Sequence, residues 1–281
     1  MRRAAVPSFL ALTPFVVACA GGPGGGGMSP PSLAFQVPDD PQVTYSQADT
    51  AVMSIDAGGQ MFDVSVVTTA TMALTFTSAE NGVRVTTSWT ALDASVSNPM
   101  GAPERVSVED VEGPLVFDLD SRGVAQVVSP PTLKGNASRM VSPAAVANSF
   151  FPRLPGSAPT PGMTWTDTIS YEADEDAGTT ISRTIVTYTV AGDTTVAGQG
   201  LLKVDMTGQV SQTAEGVTSG MGFVQDVAGG FEGYFLWDLR EGVMHSQVSE
   251  SEMVGTMDVD AAPFPLDIAV RGVSRVVRQV N

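Results

Sequence analysis

The chain holds one cysteine and one histidine in 281 residues. A lone cysteine closes no internal disulfide and builds no cysteine-rich zinc site. A lone histidine, His245, excludes histidine-cluster metal sites and leaves a Ser-His-Asp triad only one base. Basic residues are scarce: 14 Lys and Arg stand against 30 Asp and Glu, a formal net charge of −16. That balance excludes the basic face on which nucleic-acid binding rests, so no nucleic-acid partner is expected. Three Trp and four Tyr make a thin stacking platform for sugars. The apolar run Ala4–Ala18 falls short of the roughly 20 residues that a helix needs to cross a bilayer. What is plentiful is hydrophobic: 43% of residues, enough for a packed core, punctuated by 29 Gly and 19 Pro.

The N-terminus reads as an address. Arg2 and Arg3 precede the short apolar run, which ends in Val16-Val17-Ala18-Cys19. This tetrapeptide resembles the bacterial lipobox, in which the cysteine is acylated and becomes the mature N-terminus. The resemblance implies a signal peptide over 1–18, lipid attachment at Cys19 and a place in the bacterial cell envelope. Ala20, where an Asp would signal retention, implies the outer membrane. The Gly- and Pro-rich stretch that follows, within 19–34, reads as a flexible tether. An anionic protein is repelled by anionic headgroups, so the lipid on Cys19 is the expected membrane partner.

Beyond the tether the pattern is β. Phe62, Val64, Val66, Thr68, Ala70, Met72, Leu74 and Phe76 occupy alternate positions between mostly polar ones, a period of two sustained beyond an ordinary strand. Asn81-Gly82 marks a hairpin. On the return, Val83, Val85, Thr87 and Trp89 share a face, and the set then shifts to Leu92, Ala94 and Val96. A one-residue shift predicts a β-bulge or a sharp bend.

Three segments recur in order: 74–77 with 186–189, 82–85 with 200–204, and 116–119 (followed by Gly123-Val124) with 236–239 (followed by Gly242-Val243). They predict two tandem antiparallel β-meander repeats, 35–130 and 163–281, forming a curved sheet, half-barrel or sandwich. Between them, over 131–162, lie one short helix and a Pro-rich connector. Ser142 caps the helix, Pro143 opens it, Val146, Ala147 and Phe150 share its face, and Pro152 ends it.

Phe151–Pro155, Pro161–Trp165 and Gly229–Trp237 together resemble a pattern seen in β-rich bacterial lipoproteins. The resemblance covers the second half and implies no activity. At the level of fold alone, long antiparallel strands with a short apolar helix look like the open half-barrels of lipoprotein carriers.

Sites for chemistry are few. The acidic stretch Glu172–Gly178 offers oxygen ligands, but without the later bidentate Glu of a calcium loop it reads as a solvated hairpin turn. Asp118–Gly123 reads as a turn for similar reasons. His245 beside Met244, with Met253 and Met257 downstream, is a thin set for a soft metal. Ser246, Ser249 and Ser251 lack a nucleophile elbow. Gly229–Gly233 reads as opening a strand rather than cradling a phosphate, and Arg271, Arg275 and Arg278 read as charge balance. No catalytic residue, metal or cofactor is expected.

The expected function is therefore non-enzymatic: an apolar ligand, an acyl chain or lipid, held on a curved β-surface. Phe62, Val64, Met72, Phe76, Trp89, Phe150, Trp165, Tyr188 and Trp237 are the candidate lining residues, each competing with a plain core role. An assembly lipoprotein docking another envelope protein is the alternative, and a hydrolase the less favoured one.

Overall fold

The chain follows its two-residue period into strands far longer than usual. In a computed structural model, residues 32–99, 103–175, 178–218, 221–260 and 262–279 are described. Cys19, the signal segment and the tether up to residue 31 lie outside them.

The first half gives β1 (Gln42–Asp56), β2 (Met61–Ala79), β3 (Gly82–Ser97), β4 (Glu104–Ser107), β5 (Val111–Glu112), β6 (Leu115–Asp120), β7 (Ala125–Ser129) and β8 (Thr132–Leu133). Helix α1 (Ala137–Met140) is a single turn, and α2 (Pro143–Ser149) follows. The second half gives β9 (Thr164–Glu175), β10 (Gly178–Val196), β11 (Gln199–Thr218), β12 (Met221–Asp238), β13 (Val243–Val259) and β14 (Leu266–Gln279).

Twelve of these strands form one curled antiparallel sheet, a half-barrel, in the order β7-β6-β3-β2-β1-β14-β13-β12-β11-β10-β9, with β4 also on β3. The open choice between sheet and sandwich resolves to a single sheet. The two halves meet where the first strand pairs with the last, β1 against β14. The recurring segments fall on successive strands of each half: β2 and β10, β3 and β11, β6 and β12. Residues 31–281 form one compact unit.

The even positions of β2 do face inward. Met72, Leu74 and Phe76 are buried, and Thr71, Ala73 and Thr75 between them are only partly so. The predicted phase shift is a bulge: Met72 pairs with Trp89 and Thr71 with Ala91, leaving Thr90 unpaired. The helix is one residue pair shorter than expected. Ser142 caps it by accepting from the Ala145 N–H, and the helix ends at Ser149.

The connector does more than connect. Phe151, Pro152, Arg153 and Leu154 are all buried, and with Leu33 and Phe35 they plug one end of the curl. The Leu154 N–H donates to the Arg122 carbonyl, and the Phe35 N–H donates to Ser121, so the plug is tied to the β6–β7 turn. Gly123 in that turn sits at φ 86°, and a Cβ there would meet the Phe35 ring at 2.5 Å and the Pro152 carbonyl at 2.8 Å. Helix α2 packs against both edge strands of the sheet, β7 and β9. Arg122 reaches across to Asp167 on β9 at 2.6 Å. The plug is thus a wedge between the two sheet edges.

Two side chains receive the wedge. The Tyr188 hydroxyl accepts from the Arg153 N–H at 3.1 Å, and Trp165 Nε1–H donates to the Arg153 carbonyl at 3.0 Å. Their rings stack, with centroids 5.0 Å apart. Burial pushes the Tyr188 hydroxyl up to about 12, so it stays protonated and neutral across physiological pH. Tyr188→Phe keeps the ring and orphans a buried N–H, and should cost about 1–2 kcal/mol in urea unfolding. An unchanged midpoint would show that the wedge is held by apolar packing alone.

Candidate concave binding face

The interior of the curl is layered along the strands, and the strand register defines the layers. At the plugged end lies a filled aromatic core of Tyr45, Phe76, Phe117, Phe151, Tyr188, Phe235 and Trp237. The Tyr45 hydroxyl donates to the Met244 carbonyl at 2.6 Å, satisfying the one polar atom of a fully buried ring.

The next layer is polar. Thr68, Asp49, Ser274 and Ser249 stand directly across from one another on β2, β1, β14 and β13. Gln47 and Gln247 flank this row on its buried side, each across from Val276. Ser274 donates to one Asp49 oxygen at 2.6 Å, and Gln47 Nε2 donates to the other. Burial raises the Asp49 carboxyl above its ordinary value, against these two hydrogen bonds, which lower it. Gln247 Oε1 is buried with no hydrogen-bond partner.

Beyond the polar row the face turns apolar again and stays uncovered. Val64, Met53, Val270 and Met253 form one row, and Phe62, Ile55 and Ile268 the next. Only Ile268 of these seven is fully buried. Two cavities of about 310 and 320 Å³ open beside α2. The first is lined by Trp89, Val146, Phe150, Asp49 and Thr68. The second is lined by Ile169, Tyr171, Val210, Phe231, Met253 and Ser251. Ser149, Gln247 and Ser274 border both. Larger, shallower depressions lie elsewhere: at the plugged rim beside Asp193–Leu202, on the convex face, and among the hairpin tips of the open rim.

Of the nine candidate lining residues, Met72, Phe76 and Trp237 sit in the filled core and border neither cavity beside α2. Phe150 and Tyr188 are core residues that each border one. Trp89 lines the first cavity, Phe62 and Val64 lie on the uncovered apolar rows, and Trp165 backs the plug. The structure thus gathers Trp89, Phe150, Tyr188, Phe62 and Val64 around the concave face and assigns the others to packing.

The glycine-rich run is placed differently from the sequence expectation. Gly229–Gly233 lies in the middle of β12, not at its start. A Cβ on Gly229 would stand 2.0 Å from the Glu252 carbonyl oxygen, and one on Gly233 would stand 2.1 Å from that of Val248. Glycine here lets β12 and β13 close up at the curl. Phe231 between them lies across Gly208, where an added Cβ would meet its ring at 2.2 Å.

The turns behave as read. Asp238 caps its turn by accepting from the Arg240 and Glu241 N–H groups. In the first half Asp120 plays that part, accepting from Arg122 and Val124, while Asp118 faces outward to Arg84. Of the Glu172–Gly178 stretch, 172–175 end β9 and Gly178 opens β10 directly across from Glu175. His245 is the bulged residue of β13, opposite the Leu236–Trp237 step. No cluster of three or more His, Cys, Asp or Glu residues suited to a metal occurs among the described residues. Arg278 pairs with Glu241 and Arg271 with Glu252, which is charge balance.

Sequence reasoning missed the polar row and the buried part of the connector. Asp49 is one of 30 acids and carries no motif. Its position opposite Ser274 exists only through the β1–β14 pairing.

No protein-family profile matches the chain, and no curated protein matches it. Solved structures similar to it include lipovitellin, in a structure of lipid–protein interactions, with a TM-score of 0.44 and 13% identity over 85% of this chain and 25% of that one. The chain thus spans a quarter of that lipovitellin chain. The β domain of the Bordetella autotransporter BrkA gives a TM-score of 0.26 and 9% identity, over 85% and 99% of the two chains. Pseudomonas aeruginosa OccK2, crystallised with glucuronate, gives 0.22 and 8%, over 88% and 100%. No helix among the described residues is long and apolar enough to cross a membrane, which leaves strands out of account.

Proposed function

We propose that this protein is a non-enzymatic, lipid-anchored component of the bacterial envelope that holds an apolar ligand against its concave face. The observation that carries the reading is the partly buried apolar rows of Phe62, Val64, Met53, Ile55, Val270 and Met253, with Met253 also lining one of the two cavities of about 310 and 320 Å³ beside α2. Volumes of this size suit one small or single-chain ligand. Recognition there comes from shape and apolar area, about 25 cal/mol for each Å² removed from water. Cys19, by its lipobox resemblance, supplies the membrane anchor.

The test uses residues 28–281, which contain the whole compact unit. Native mass spectrometry of this chain, purified from the periplasm of a host and followed by organic extraction, should show a stoichiometric adduct that extracts as lipid. Met253→Asp, which places a charge on the apolar row, should abolish the adduct and leave the fold intact. A bare mass would overturn the reading. Crosslinking in the native envelope would then test a docking role.

A further inference from the structure

An apolar ligand gives no role to the polar row across the middle of the concave face. We propose that this row reads the head group of a single-chain amphiphile, and that the head donates hydrogen bonds and carries no negative charge, as a hydroxyl or amine does. The inference rests on the reading of the concave face as a lipid-binding surface.

The geometry separates head from tail. Asp49, Ser274 and Ser249 stand side by side, and Ile55 lies six positions further along β1 than Asp49. At about 3.4 Å per residue that is some 20 Å of strand. Along it the inward residues are Ala51, Met53 and Ile55, which gives an acyl chain a continuous apolar track. The head therefore enters first and sits against the plug, and the tail points to the open rim.

The charge of the head follows from what lines the two cavities. Neither has a Lys, Arg or His among its lining residues, and the only ionisable acid is Asp49. An ionised carboxylate accepts and never donates. A negative head would meet Asp49 with no cation to offset it, whereas a hydroxyl or ammonium completes its shell. Gln247 Oε1, buried and unpartnered on the border of both cavities, is a second waiting acceptor.

Stability alone does not explain Asp49. Its carboxyl is raised by burial, so ionising it works against folding as pH rises through its folded value. Local rules are broken in this way at functional positions.

The experiment follows displacement of the apolar dye N-phenyl-1-naphthylamine from residues 28–281 at pH 7.5 by decylamine, decanol and decyl sulfate, each below its micelle concentration. The dye should bind, and decylamine and decanol should displace it at concentrations at least about tenfold below decyl sulfate, a difference of about 1.4 kcal/mol. Asp49→Asn should narrow that gap to within about threefold, each variant being read against its own dye affinity, and Ser249→Asp should widen it. Equal displacement by all three with the dye bound overturns the head-group proposal and leaves the concave-face reading standing. A gap unchanged in both variants overturns it too. Failure of the dye itself to bind overturns both readings.

Discussion

Phe151→Ala should remove about 3–5 kcal/mol of stability. The ring is buried to 1% exposure in a wedge that the sheet curls around. Five aromatic rings surround it: Phe150 at 4.9 Å, Phe35 at 5.4 Å, Phe76 at 6.1 Å, Tyr45 at 6.2 Å and Phe117 at 6.5 Å. They come from the end of α2, the plug, β1, β2 and β6, so the cavity left by alanine is walled by separate elements and cannot collapse locally. For a domain holding about 5–15 kcal/mol in all, the loss is a large share. Trp165 and Trp237 pack against the same core and report its opening in urea by fluorescence. Val254→Ala, 67% exposed, is the control and should stay within about 0.5 kcal/mol. A loss below about 1 kcal/mol at Phe151 would show that the plug is an accessory to the sheet.

Gly229→Val should cost roughly 3 kcal/mol or more, while Gly230→Val should be close to neutral. The two glycines are neighbours in β12 and differ in what a side chain would meet. At Gly229 the new Cβ stands 2.0 Å from the Glu252 carbonyl oxygen and 2.5 Å from the Met253 Cα, and backbone atoms inside a paired sheet cannot step aside. At Gly230 the nearest atoms are 3.5 Å away, an ordinary contact. Valine also favours strands where glycine does not, which helps the second variant. Thermal unfolding of the pair decides the matter. Equal midpoints would mean that β12 and β13 are not held as close as the register implies.

The sheet was legible in the sequence because its strands obey one physical rule over long stretches. With one face turned inward, the alternation from Phe62 to Phe76 admits one register, and the slip after Trp89 marks a bulge or a sharp bend, of which the structure has the bulge. The helix was legible from its cap. The wedge was not, because Phe151–Leu154 has no period of its own. Its burial is decided by Tyr188 and Trp165, which receive both backbone groups of Arg153. Gly229–Gly233 was mistaken for a strand opening because glycine in a strand interior is unfavourable until a neighbouring strand needs the room. Of the candidate site, the aromatic and aliphatic contributors were visible as hydrophobic residues. The polar row was invisible, since Thr68, Asp49, Ser274 and Ser249 share no local pattern and meet only across four strands.

The closure of the sheet through β1 and β14 has a consequence in time. Asp49 and Ser274 are 225 residues apart, and the strands that carry them join the two halves. Hairpins such as β2–β3 can form as soon as their own residues are present, but this joint waits for the last strand of the sheet. Contacts of such high sequence separation are the slow part of folding, because a long loop must close before any pairing rewards it. A nascent or translocating chain would thus carry two unjoined half-sheets with free edges, exposed to mispairing, until β14 arrives. The polar row belongs to the last event in folding, so the concave face is complete only when the chain has finished.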